Sequence, residues 1–178
     1  MDARGKRVVV MGLGNFSGGV AAARFMAGRG GRVVVTDLAG PDKLAESVAA
    51  LADSSIEAMH LGGHREQDFQ HADVVVASPA VREDDPFLQI ARAHGALITT
   101  EMNLFFLHCP APIVGVTGSN GKSTTTALIY SMMQVSGRAC WLGGNSGHSL
   151  LDRVDDIRAS DLVILELSSF QLEDLDEL

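Results

Sequence analysis

The sequence predicts an α/β protein built on parallel sheets. Three observations carry that expectation. Short runs rich in β-branched residues alternate with helix-compatible stretches, glycine-rich turns follow two of those runs directly, and the pattern restarts after prolines at 110 and 112. Continuous apolar runs too short for helices fit strands buried on both faces, as in parallel sheets covered by helices.

Val8-Val9-Val10-Met11 is the first such run. It leads into Gly12-Leu13-Gly14-Asn15-Phe16-Ser17-Gly18-Gly19 and then an Ala-rich stretch over 20–27, which reads as strand, glycine turn and helix. A second strand over 32–36 ends at Asp37, and 42–51 reads as helical. Further strands are expected at 56–61, 74–77 and 96–98, with a helix over 86–94 between the last two. At Cys109-Pro110-Ala111-Pro112 two prolines at alternate positions can neither continue a helix nor sit inside a sheet. A linker is placed at 109–112, closing a first domain at 1–108. Ile113-Val114-Gly115-Val116 then opens a second unit over 113–178, with a polar glycine loop, a helix over 122–135 and a strand over 161–166. A sheet of two or three strands can bury little apolar surface on both faces, so this second domain is expected to be incomplete.

A chain of 178 residues with 46% apolar content bounds the count at one or two domains. Fourteen basic residues against twenty-two acidic ones give a net charge of −8, with no long Lys/Arg cluster. Nucleic acid and anionic membrane are therefore excluded as expected partners. The apolar run behind the basic amino terminus is too short for a signal peptide or a membrane span, so the chain reads as cytoplasmic. Cys109 and Cys140 lack metal-ligand spacing and read as buried, reduced thiols. His60 and His64 are four apart, but Gly62 and Gly63 argue against a helix presenting both to a metal; solvated or locally bonded histidines are expected.

The most specific chemical signal is Thr117-Gly118-Ser119-Asn120-Gly121-Lys122-Ser123-Thr124, between a strand and a helix. Glycines let such a loop curl until backbone N–H groups point at phosphate oxygens, and the helix N-terminus adds a favourable dipole. Lys122 would reach the β/γ-phosphates, Ser123 would offer its hydroxyl to Mg²⁺, and Thr124 would line the helix start. The strict GxxxxGK[ST] pattern requires glycine at 116, where Val116 stands; Gly115 lies one residue early. The bland alternative is a Gly/Asn turn with an exposed lysine. Glu166 ends an apolar strand. Alone it is a solvated strand end, and paired with the Lys122 loop it becomes a candidate for Mg²⁺, directly or through water. The first glycine cluster approximates a dinucleotide fingerprint whose third glycine falls one place late, at Gly18. Asp37 at a strand tip fits either a ribose contact or a turn cap.

Together, the Thr117 to Thr124 loop, Gly143-Gly144-Asn145-Ser146-Gly147 and Leu165-Glu166-Leu167-Ser168-Ser169-Phe170-Gln171-Leu172-Glu173 closely resemble the Mur ligases, and the last string resembles their D-glutamate-adding branch. Gly12-Leu13-Gly14 and Val76-Ala77-Ser78-Pro79 occur in the family's order, so the resemblance covers essentially the whole chain. It implies a Rossmann-like domain that holds a UDP-sugar, followed by the start of a P-loop ATPase domain. The implied reaction is an ATP-dependent ligation in peptidoglycan synthesis, hence in cell-wall biogenesis, cell shape and division. The γ-phosphate passes to the carboxylate of UDP-N-acetylmuramoyl-L-alanine, and the amine of D-glutamate attacks the acyl phosphate. By this resemblance Lys122 and Glu166 are catalytic, Ser123 and Glu166 contact Mg²⁺, and residues 117–124 bind ATP. Gly14, Asn15, Phe16, Ser17 and Asp37 would hold the UDP portion, with Asn145 near the reacting end of the substrate. A monomer is expected.

The turn Asn15-Phe16-Ser17-Gly18-Gly19 is one residue longer than in many members of the family it resembles. The family's second-metal histidine, carbamylated lysine and D-glutamate domain would lie beyond residue 178, so the chain is expected to be a fragment that does not turn over by itself. Two other readings stay open: a noncatalytic nucleotide- or UDP-sugar-binding remnant, and a nicotinamide-dependent oxidoreductase that would leave Lys122 without a role.

Overall fold

A computed structural model describes residues 2–15, 17–144 and 149–175. In its first half β1 (Arg7–Met11), β2 (Arg32–Asp37), β3 (Ile56–Leu61), β4 (Val74–Ala77) and β5 (Leu97–Thr100) form one sheet in the order β3-β2-β1-β4-β5. All four pairings are parallel. The three inner strands are made of valine runs because both faces are covered: Val8 and Val10 look toward α1 (Ser17–Gly28), while Val9 and Met11 look toward Phe69 and Leu88. Each fully buried aliphatic side chain contributes about 1.5–3 kcal/mol. The second face is closed by α3 (Glu66–Gln70), which carries Phe69, and by α4 (Pro86–Ala93), which carries Leu88 and Ala91.

Local chemistry sets the helix starts. Asp85 caps α4 by accepting from the Phe87 N–H, with Pro86 in the first turn, where the missing donor costs nothing. Thr100 caps α5 (Glu101–His108) through the Asn103 N–H. The helix expected over 42–51 is divided, since Pro41 opens a 3-10 turn over Pro41–Leu44 before α2 (Ala45–Ala50). Neither α3 nor α5 carries a clear helical signal in the sequence. The first is five residues long, and the second is so apolar along 102–107 that it has little amphipathic period.

Beyond residues 109–112, β6 (Ile113–Val116), β7 (Cys140–Gly144) and β8 (Leu162–Glu166) form a second parallel sheet in the order β6-β8-β7. α6 (Lys122–Val135) joins β6 to β7, and α7 (Ser169–Glu173) follows β8. β8 is central and buried along its whole length. β7, with two glycines in five residues, lacks a strand signature and was not expected.

The connection from β7 to β8 joins the two halves. A 3-10 segment over Leu151–Asp156 leaves the second sheet and packs against α1 and α5 of the first half. Leu151 is fully buried there, and Leu150, Val154 and Ile157 join the same core as Val8, Ala23 and Met26. Arg24 pairs with Asp152 at 3.5 Å and Arg29 with Asp155 at 2.9 Å along its rim. One hydrophobic core therefore runs through both sheets. Cys109 and Cys140 are half-buried free thiols rather than fully buried ones, and burial raises the thiol pKa of Cys109.

Candidate functional site

The strand order reverses between β1 and β4, where open α/β sheets place their ligands outside the carboxyl ends of the strands. The two tips approach so closely at Gly12 (φ +92°) that a Cβ there would sit 2.7 Å from the Ser78 Cβ. The loop that follows is clamped from two sides. The Gly14 N–H donates to Asp37 Oδ2 at 2.9 Å, and the Ser47 hydroxyl donates to the Gly14 carbonyl at 2.7 Å. The other Asp37 oxygen accepts from the Ala39 N–H at 2.8 Å. Asp37 thus caps its own turn and fixes the glycine loop at the same time. The close helix-to-strand approach is made by Gly19, whose Cβ would lie 2.4 Å from the Leu13 carbonyl oxygen, so the fingerprint is stretched beyond the Gly18 position that spacing pointed to. Asn15 is exposed; Phe16 and the side chain of Ser17 lie outside the described residues.

Next to this loop, His64 Nδ1 lies 2.8 Å from Thr36 Oγ1, with its ring edge-on to Phe69 and Phe87. Burial lowers its pKa, against the opposing fields of Asp85 and Asp37. His60 Nδ1 lies 2.6 Å from Asp68, which also receives Arg7. Both histidines are locally bonded, and they do not share a helix: His60 lies in β3 and His64 beyond it.

On the second sheet the loop over 117–124 joins β6 to α6. Gly118 (φ +147°) and Gly121 (φ +77°) supply its turns, and Gly121 starts α6 with no side-chain cap and no acidic residue in the first turn. The helix therefore leaves first-turn N–H groups for an anion. Lys122 Nζ folds back over the loop to the Gly118 carbonyl at 2.7 Å. Thr117, Ser119, Asn120, Ser123 and Thr124 are exposed, while Thr126 is buried and bonds the Lys122 carbonyl. Gly115, one residue early for the strict motif, has a different job. It stands in β6 where a Cβ would meet a Leu167 methyl at 3.0 Å.

Glu166 ends the central strand β8, its backbone in register with Val116 on one side and Gly144 on the other. The Leu167 N–H donates to the Val116 carbonyl at 2.9 Å, which ties that tip to the start of the loop. Gly144 (φ +103°) is pressed so closely on β8 that a Cβ would lie 2.1 Å from the Glu166 carbonyl oxygen. Glu166 is only 3% exposed, not the solvated strand end that was its alternative. Asn145 lies outside the described residues.

A cleft of about 1370 Å³ runs between the halves, with Gly12, Gly14 and Ser78 on one wall and Gly144, Ser168 and Gln171 on the other. Ser168 and Gln171 form a reciprocal capping box at the start of α7. They stand in the same 165–173 string as Glu166. Glu101, also in the cleft wall, had no sequence signal at all. The loop over 117–124 does not line this cleft; it lies beside Glu166 at the edge of the second sheet. Among the described residues no three His, Cys, Asp or Glu side chains cluster as a metal site. Among the described residues no helix is long and apolar enough to cross a membrane.

Residues 6–100 match the Mur ligase MurD-like N-terminal domain, and residues 116–178 match the Mur ligase middle domain. The chain belongs to the Mur ligase family. It is 49% identical over 99% of its length to a UDP-N-acetylmuramoylalanine--D-glutamate ligase of Roseiflexus sp. (strain RS-1), and 42% identical over 97% to the enzyme of that name from Geobacter metallireducens. It spans 38% of the length of each. Among solved Mur ligase structures, the UDP-N-acetylmuramate:L-alanyl-gamma-D-glutamyl-meso-diaminopimelate ligase from Neisseria meningitides superposes over 90% of this chain and 52% of its own, with a TM-score of 0.56 at 19% identity. That likeness supports the fold.

Proposed function

We propose that this Mur ligase chain holds the UDP-sugar site and the beginning of the ATPase site of a ligase that joins D-glutamate to UDP-N-acetylmuramoyl-L-alanine. In this reading residues 1–108 and 113–178 are its two domains, joined at 109–112. The observation that carries it is the β6-β8 register, which sets Glu166 beside the Lys122 loop in a chain 49% identical to a ligase of that name.

Gly14, Asn15, Phe16, Ser17 and Asp37 are assigned to the UDP portion. Asp37 already spends one lone pair of each oxygen on backbone N–H groups, so it holds the loop open for the ligand and keeps acceptor capacity for a ribose hydroxyl. Residues 117–124 are assigned to ATP, with Lys122 exchanging the Gly118 carbonyl for β/γ-phosphate oxygens through charge-assisted bonds. Asn145 is assigned to the substrate near its reacting carboxylate. The donors available for Mg²⁺ are Ser123 Oγ and the Glu166 carboxylate, hard oxygens in the small number that suits a cation also coordinated by substrate phosphates and water. Bound there, Mg²⁺ would neutralise charge on the β- and γ-phosphate oxygens. Lys122 and the open N–H groups of α6 would stabilise the same charge from the protein side as the phosphoryl group moves to the substrate carboxylate.

Calorimetric titration with MgATP and with UDP-N-acetylmuramoyl-L-alanine tests the assignment. Lys122→Ala should weaken MgATP by at least about tenfold and leave the UDP-sugar unaffected. An unchanged MgATP affinity would remove the phosphate-loop reading.

A further inference from the structure

The two walls of the cleft belong to different sheets, so any ligand that touches both depends on how the halves are set relative to each other. A partly buried carboxyl bridges the halves at the cleft wall. Glu101 opens α5, directly after the tip of β5, and its Oε1 accepts a 2.5 Å hydrogen bond from the Ser149 hydroxyl of the second half. Its Oε2 faces the first turn of α1, 3.9 Å from where a Gly18 Cβ would lie. Ser149 in turn accepts from the Leu151 N–H at 3.2 Å, and Leu151 is the fully buried anchor of the 3-10 segment in the first-half core. A second bond crosses nearby, from Asn103 Nδ2 to the Asp174 carbonyl at 2.8 Å.

Packing alone does not call for an acid at this position. A buried carboxyl is costly unless it is well bonded, and an apolar side chain would fill the space with less penalty. A hydrogen bond adds what apolar packing lacks, namely a fixed direction and length. One end of the chain of contacts is the β5 tip beside the proposed UDP site; the other is Ser149, in the connection from β7 to β8, just before the 3-10 segment that packs on the first half.

We infer that Glu101 is a positioning residue which, through Ser149, sets the two cleft walls at the spacing required by a nucleoside-diphosphate sugar long enough to touch both. This rests on the proposed UDP-sugar site. A ligand confined to the first wall, such as UDP, is indifferent to that spacing. A spanning ligand is not.

The test is calorimetric titration of the chain with UDP and with UDP-N-acetylmuramoyl-L-alanine, for wild type, Ser149→Ala, Glu101→Ala, Ser149→Thr and Glu101→Gln, with thermal melts to establish folding. Removal of the bond in Ser149→Ala or Glu101→Ala should weaken the UDP-sugar by about tenfold or more while UDP stays within about twofold. Ser149→Thr and Glu101→Gln keep a donor and an acceptor and should restore the UDP-sugar affinity to within about threefold of wild type. Parallel weakening of both ligands, or no weakening of either, would overturn the positioning role and leave the UDP site standing. Wild type that binds neither ligand would overturn the site and the inference together.

Discussion

The two halves of the chain repeat one device, a strand running through a glycine loop into a helix, and treat it in opposite ways. In the first half α1 is sunk in the core, with Ala21, Ala22, Ala23 and Met26 buried, and the Gly14 backbone is bonded on both sides by Asp37 and Ser47. In the second half α6 buries only Thr126, exposes Leu128, Met132 and Val135, and starts without a side-chain cap. The first loop has both Gly14 backbone groups satisfied by protein side chains before any ligand arrives; the second starts its helix with first-turn N–H groups left uncapped by any side chain. The difference shows that a glycine loop can serve as a preformed wall or as an anion cradle, depending on what its neighbours donate and accept.

The sharpest way to break the comparison is at the glycines. Gly144→Ala would push a Cβ into the Glu166 carbonyl at a positive φ, and a loss of about 3 kcal/mol or more is expected in urea denaturation. Gly121→Ala, at φ +77° with open space around it, should cost only about 1–2 kcal/mol. Similar losses at the two sites would show that contact with β8 is not what fixes Gly144.

Next in size is the 3-10 segment. Leu151→Ala removes a fully buried side chain from the shared core and should cost about 2–5 kcal/mol, whereas Met132→Ala on α6 should stay within about 0.5 kcal/mol. If the Leu151 variant splits one unfolding transition into two, the shared core is what makes the halves cooperative. Asp37→Ala strands the Gly14 and Ala39 N–H groups and should cost about 1–3 kcal/mol, while Lys122→Ala, whose side chain lies over an exposed loop, should leave the urea midpoint nearly unchanged.

The smallest effect is a pH dependence that separates the partly buried wall from the open loop. Burial raises the Glu101 pKa above its ordinary value; the Ser149 hydrogen bond opposes this and Asp152 adds to it. Arg24, paired with Asp152, is the nearby cation on α1. A raised folded-state pKa means that the folded chain holds the proton more tightly than the unfolded chain. Its stabilising contribution is complete below the unfolded value of 4.5 and is lost as pH rises through the higher folded value. Glu101→Gln should therefore melt above wild type at pH 8 and converge with it near pH 4, as read by thermal melts. Equal melting temperatures at both pH values would show that the carboxyl is not desolvated.

Much of the first sheet was legible because strands buried on both faces must be continuously apolar, and runs of three valines have few other uses. The α6 boundaries were equally plain, set by Gly121 before the helix and by Gly137 shortly after it. β7 was hidden because its glycines serve the close approach to Glu166 rather than strand propensity. The 3-10 segment left a faint trace in Leu151, Val154 and Ile157, spaced by three as that helix requires, but nothing local tells which surface such a stripe covers. Within the site, Asp37, Lys122 and Glu166 stood out because each sits at a strand tip or helix start, whereas Glu101 looks like any acid in the first turn of a helix.

By itself the sequence determined the alternation of strands and helices, the two glycine loops and the family, since these depend on local periodicity, backbone freedom and motif order. Only the tertiary structure decided that the 3-10 segment enters the first half's core, that Gly19 rather than Gly18 makes the close approach, and that Glu101 meets Ser149. Those contacts join residues 6 to 48 or more positions apart in the chain. The physical reason is that a residue's solvation and its bonding partner are fixed by what folds over it, and that information is not carried in its sequence neighbours.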